Sequence, residues 1–186
     1  CSGETATLSA TGTTGNLLSW YSDPSGLTLV GTGSNFTTPA LTSSTTYYVQ
    51  ETATGTGCVS NLIAVTATVV PLPPAPTANS ITVCADESVI ITANGSISGT
   101  LDLYNQATGG TLLSSQTIPP LSAQFDLGIL PIGTYTYYIE ENNGTCSSVR
   151  TPVTVTVLPV PTAPTVSPPA STCVGNSATL TATSTN

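Results

Sequence analysis

The stretch CSGETATLSATG (Cys1–Gly12) returns twice, as CADESVIITANG (Cys84–Gly95) and as CVGNSATLTATS (Cys173–Ser184). From Thr5 to Ala10 it alternates hydroxyl with apolar side chains, which sets Ala6, Leu8 and Ala10 on one face of an extended strand. The leading cysteines fall 83 and then 89 residues apart. A recurring stretch at domain-sized spacing divides the chain into two nearly whole repeats and the start of a third.

Matches continue outward from that stretch. Trp20 and Tyr21, with Gly26 and Leu29, answer Leu103 and Tyr104, with Gly109 and Leu112. Phe36 and Leu41 correspond to Phe125 and Leu130 across an insertion around Gln116–Gln124. TTYYVQE (Thr45–Glu51) reappears as YTYYIEE (Tyr135–Glu141), and Val65–Val69 as Val153–Val157. These runs are β-branched or aromatic, and Gly, Pro, Asn and Ser punctuate them. No segment keeps a helical period. The expected fold is all-β, a sandwich of about seven short strands per repeat, because each sheet must bury its apolar face against another. Neighbouring tyrosines in a strand point to opposite faces, so either Tyr47 and Tyr137 or Tyr48 and Tyr138 turn inward; the pattern leaves both open.

PLPPAP (Pro71–Pro76) and PVPTAP (Pro159–Pro164) separate the repeats. Proline fixes φ and favours polyproline II geometry, so these read as semi-rigid spacers. The expected organisation is a first repeat over 1–70, a linker over 71–77, a second repeat over 78–158, a linker over 159–165 and a third repeat beginning at 166–186. Cys1 opens in mid-pattern and Asn186 closes as a strand ends, so the segment is expected to be cut from a longer chain.

Composition narrows function. Charged residues are 5% of the chain, against roughly 25% in ordinary soluble domains. Arg150 is the one cationic side chain, histidine and methionine are absent, and threonine fills 37 positions. One arginine cannot release counterions from phosphates, so nucleic acid is not an expected partner, and a polybasic membrane contact fails likewise. Without histidine there is no imidazole base and no Ser-His triad. No run of eighteen apolar residues offers a membrane span.

The residues Cys1–Leu8, Trp20-Tyr21, Gly31–Pro39, Thr45–Val49 and Gly57–Ser60 together resemble bacterial immunoglobulin-like repeats, of the kind arrayed in giant secreted surface proteins of Bacteroidota. The second repeat departs from that pattern, with Asp86 for the glycine and Leu103 for the tryptophan. The resemblance implies export by type IX secretion, an extracellular cell-surface location, and a place in gliding-motility or other adhesins, or in secreted multidomain enzymes.

Five cysteines, Cys1, Cys58, Cys84, Cys146 and Cys173, are disulfide candidates; their spacing fits no zinc motif. Two pairings compete. Bonds within repeats, Cys1–Cys58 and Cys84–Cys146, need no particular stacking of domains and are slightly favoured; the first would contribute roughly 3–4 kcal/mol by loop entropy. In end-to-end immunoglobulin topology the first cysteine of one repeat instead faces the second of the next, giving Cys1–Cys146. A Cα separation limit of about 7 Å separates the two.

Trp20 is expected in the core, as strand-C tryptophans are, rather than stacked on a sugar. Glu4, Asp23, Glu51, Asp86, Glu87, Asp102, Asp126, Glu140 and Glu141 form no glycosidase pair. Asp86-Glu87 and Glu140-Glu141 could hold calcium, but solvated surface carboxylates are the expectation. No G-x-S-x-G motif occurs. Asn35, Asn94 and Asn143 open glycosylation-like triplets that a Ser/Thr-rich chain produces by chance, and Asn143-Gly144 is expected to form the turn between strands F and G. No catalytic residue, cofactor or metal is expected. The leading functional expectation is a structural stalk whose partners are neighbouring repeats and, through them, surface polysaccharide or other cells. The alternatives are a glycan- or polymer-binding module using Tyr21 and Tyr104, and spacer domains of a secreted polysaccharide-degrading enzyme.

Overall fold

A computed structural model describes residues 1–96, 98–118, 121–166 and 171–184, and among these the regular elements are all strands. The first repeat contributes β1 (Thr7–Ser9), β2 (Leu17–Tyr21), β3 (Leu29–Thr32), β4 (Asn35–Thr37), β5 (Thr45–Thr52) and β6 (Ile63–Ala67). A four-stranded sheet in the order β3-β2-β5-β6 faces the β1-β4 pair. Leu8, Trp20, Phe36, Leu41, Tyr47, Val49 and Ala67 close the space between them. Trp20 is fully buried, stacks near Phe36 at 5.8 Å, and donates its indole N–H to the Gly33 carbonyl at 2.9 Å. A buried indole needs such a partner.

The second repeat contributes β7 (Thr77–Ala78), β8 (Ile81–Cys84), β9 (Ser88–Asn94), β10 (Gly99–Tyr104), β11 (Leu112–Ile118), β12 (Ser122–Ile129), β13 (Gly133–Asn142) and β14 (Thr151–Leu158). Its sheets run β11-β10-β13-β14-β8 and β12-β9-β7. The opening alternation is visible in β9, where Val89, Ile91 and Ala93 are buried and the residues between them exposed. The insertion lengthens β11 and β12 beyond β3 and β4. The chain enters on one sheet as β7 and crosses to the other as β8, which pairs parallel with β14. With these two strands the second repeat has eight and the first six among the described residues, either side of the seven expected. Thr77 and Thr165, read from sequence as linker, already pair with Asn94 and Thr183 in β7 and in β15 (Thr165–Val166), the latter against β16 (Ala182–Thr183).

Both repeats turn the same tyrosine inward. Tyr47 is 5% exposed and Tyr137 packs on the second core, whereas Tyr48 and Tyr138 face out beside Tyr21 and Tyr104 in the cross-strand register.

Candidate functional site

Strands B, C, F and G of the expected sandwich are β1, β2, β5 and β6 in the first repeat and β9, β10, β13 and β14 in the second, and each leading cysteine sits on a tight turn just before strand B. At Cys1 the Glu4 N–H donates to the Cys1 carbonyl at 3.2 Å, and Gly3 takes φ +89°. The Ser2 N–H donates to the Val70 carbonyl at 3.0 Å, so this turn is held against the end of its own repeat, where the proline linker begins. The second cysteine sits on the turn joining strands F and G. Around Cys146 the Asn143 side-chain oxygen accepts from the Thr145 and Cys146 N–H groups at 3.0 and 2.8 Å, and Gly144 takes φ +86°. This is the Asn-Gly turn expected from the sequence.

The linker brings the two turns together, and the bond formed is Cys1–Cys146, with Cα atoms 5.7 Å apart across 145 residues. The slightly favoured pairing within repeats is therefore wrong, and Cys58, Cys84 and Cys173 are exposed thiols. The reason is topological. Strand B starts at one end of a sandwich and the F–G turn lies at the other, so the partner within reach belongs to the next domain. Cys146 is 2% exposed; its sulfur lies 3.8 Å from the Val70 carbonyl oxygen, and that of Cys1 lies 3.4 Å from the Thr145 carbonyl oxygen. The Thr151 hydroxyl adds a hydrogen bond to the Pro76 carbonyl, fastening the far end of the linker to the second repeat.

A polar brace supports the F–G turn in both repeats and is buried in the second. Glu51 and Glu141 end strand F at equivalent positions, and their N–H groups donate to Ser60 and Ser148 hydroxyls at 3.0 and 2.9 Å. The Glu51 carboxylate accepts from the Thr13 N–H and the Asn16 side chain, both at 2.7 Å; these bonds, the Asn16 one foremost, hold its pKa below the ordinary glutamate value. Glu141 is fully buried and accepts from the Ser96 N–H and hydroxyl. Glu140 is 8% exposed. The expectation that Glu140-Glu141 is a solvated surface pair fails because both carboxylates are enclosed and hydrogen-bonded. Among the described residues no three His, Cys, Asp or Glu side chains gather where they could hold a metal ion.

On the outer face, Tyr21 pairs with Tyr48 and Tyr104 with Tyr138 across strands C and F. The two faces are not alike. Arg150 lies 3.4 Å over the centre of the Tyr104 ring, pairs with Glu140 at 2.8 Å and donates to the Gln106 and Gly109 carbonyls at 2.7 Å. The Tyr104 hydroxyl donates to Glu140, and burial together with the Glu140 charge raises the Tyr104 pKa. One face of that ring is thus taken by Arg150, a cation–π contact the sequence reading missed. The brace could have been noticed from sequence: Glu51 and Glu141 align, and a serine follows each second cysteine by two positions.

The chain matches the family described as Ig-like domain CHU_C associated over residues 1–71 and again over 73–159. It belongs to that family. The clasp therefore joins two neighbouring CHU_C-associated Ig-like domains. No curated protein matches the sequence. Among solved structures, the chain is similar to the fibronectin(III)-like modules of CbhA from Clostridium thermocellum, at 15% identity and TM-score 0.45, covering 85% of this chain and 87% of that one. It is similar to the BSP domain of a biofilm associated protein at 20% identity and TM-score 0.35, covering 77% of this chain and 25% of that one. Sidekick-1 immunoglobulin domains 1–5 match at 16% identity and TM-score 0.31, covering 85% and 36%.

Proposed function

We propose that these repeats are a structural stalk segment of an extracellular surface protein, a spacer that carries load in adhesion and performs no catalysis. The observation that carries this reading is the Cys1–Cys146 bond. A covalent link between successive domains fixes their spacing under tension, which neither a catalytic cleft nor a flexible tether requires. The surface suits exposure to a changing medium. With 5% charged residues, little of its geometry depends on screened electrostatics. The extended neighbours, secretion route and cell-surface position implied by the resemblance to Bacteroidota surface repeats fit the same role. Small-angle scattering of the chain between low and molar salt checks it: the maximum dimension is expected to stay constant, and a salt-dependent length would sink the reading.

A second reading has one observation in its favour, the repeated outward tyrosine pairs, Tyr21 with Tyr48 and Tyr104 with Tyr138. In that reading the first repeat, where Leu62 stands in place of Arg150, is the better glycan platform. Glycan-array binding that survives Tyr104→Ala and disappears with Tyr21→Ala would favour it over the stalk.

A further inference from the structure

Cys84 and Cys58 are exposed thiols, yet each sits in the backbone setting of a bonded cysteine. Cys84 repeats Cys1. The Glu87 N–H donates to the Cys84 carbonyl at 3.3 Å, and Asp86 takes the left-handed φ of +72° that Gly3 takes before it. The Ala85 N–H reaches the Leu158 carbonyl at 2.7 Å, as Ser2 reaches Val70. In the clasp it is the Val70 carbonyl that meets the partner sulfur. Beside Cys84, Leu158 offers the same group, and its side chain is 47% exposed.

Cys58 repeats Cys146. The Ala53 N–H donates to the Cys58 carbonyl at 2.9 Å, as Asn143 does to Cys146 at 3.1 Å. Ser60 and Ser148 both donate their N–H groups to the strand-F glutamate carbonyls at 2.8 Å. A depression of about 260 Å³ lined by Thr13, Asn16, Glu51, Ala53 and Val59 opens beside Cys58, at the end of the first repeat that corresponds to the covered end of the second. Cys146 is covered there by a preceding repeat; Cys58 is exposed.

We infer that Cys84 and Cys58 are open halves of the same clasp. Cys84 takes the second cysteine of a further Ig-like repeat seated beyond the Pro159–Pro164 linker, and Cys58 takes the first cysteine of a repeat seated before the first one. Their partners within the repeats are already joined to each other, as Cys1–Cys146. Cys173 carries a third copy of the leading turn, with the Asn176 N–H on its carbonyl at 3.1 Å and Gly175 at φ +92°. Every junction of such an array is then covalently bridged. The inference rests on the chain being a tandem array and holds whether or not the array is a stalk. The oxidant is a disulfide such as glutathione disulfide. One protein thiolate attacks it, forming a mixed disulfide and releasing one glutathione. The partner thiolate displaces the second glutathione, so two electrons and two protons leave the protein as two glutathione thiols.

The test replaces residues 165–186 with a second copy of residues 77–159, joined in register directly after Pro164 and carrying Thr82→Ser and Thr145→Ser, two exposed positions that give its cysteine peptides masses of their own. The protein is oxidised in a glutathione buffer, its free thiols are alkylated, and it is digested with pepsin at acid pH and mapped by mass spectrometry. The expected map keeps Cys1–Cys146, joins Cys84 to the Cys146 of the added copy, and leaves only Cys58 and the added copy's Cys84 alkylated. An alkylated Cys84, or Cys84 joined to Cys58 or to any other cysteine, overturns the inference. In the Cys84→Ser version the added copy's Cys146 is expected to be alkylated; finding it in a disulfide would equally overturn it.

Discussion

Arg150 shows how one residue position can be solved in two ways. In the second repeat its side chain is 13% exposed and is bonded to a Glu140 side chain that is 11% exposed. In the first repeat Leu62 and Gln50 occupy the equivalent positions, with no charge at all. Removing one member of an enclosed ion pair strands the other, whereas replacing both by a neutral pair need not. Arg150→Leu alone is therefore expected to destabilise the second repeat by about 3 kcal/mol, and Arg150→Leu with Glu140→Gln to recover most of that; denaturant unfolding of the two variants measures the difference. Because the guanidinium is held by four partners, trypsin is also expected to leave the native chain intact and to cut after Arg150 once it unfolds. Glu51 contributes to the acid limb, as do Asp23 and Asp126, whose pKa values are also lowered by hydrogen bonds. The folded pKa of Glu51 is lowered by the Asn16 and Thr13 bonds, so its contribution is fully present above the ordinary value of 4.5 and is lost as pH falls through the depressed folded value. Melting temperatures of the native chain and Glu51→Gln are expected to differ at neutral pH and to converge in acid; a gap that persists unchanged into acid would refute this role.

At the scale of elements, the leading turn recurs three times with left-handed φ at its third residue: Gly3, Asp86 and Gly175. Aspartate tolerates that region better than most side chains but with some strain. Asp86→Gly is expected to stabilise the second repeat by about 0.5–1 kcal/mol, net of glycine's greater freedom when unfolded. Gly3→Ala should destabilise the first by about 1 kcal/mol even though the space around it is open. Thermal unfolding of each variant checks both signs. The β9 alternation and the Asn143-Gly144 turn were legible because each is written in neighbouring residues; the leading turns were found only in the structure. The inward choice of Tyr47 and Tyr137 was not, since a two-residue period fixes opposition but not which face meets the other sheet. The burial of Glu141 was hidden for a similar reason: its hydrogen-bond partner Ser96 lies 45 residues away. The disulfide pairing depended on how two whole domains stack, which no local spacing encodes.

At the scale of the molecule, the clasp links two separate cores. Its 145-residue separation corresponds to about 5 kcal/mol of loop entropy removed from the unfolded state. Cys146→Ser is expected to lower the denaturant midpoint and to let the repeats melt in two separable transitions, followed by circular dichroism and tryptophan fluorescence, since Trp20 lies only in the first repeat. An unchanged single transition would contradict that coupling.

The same bond redraws the route of tension. A pull applied at Cys1 and Pro164 crosses the two sulfurs to Cys146 and leaves along β14, so residues 2–145 carry none of it in series. Both repeats could unfold without lengthening the tether. Reduction removes the short cut and frees a reserve of roughly 500 Å of extended chain. Stretched in optical tweezers, the oxidised protein should behave as a short inextensible link, and a reductant should open the reserve in two unfolding steps. Its reach is then set by the redox state of the medium.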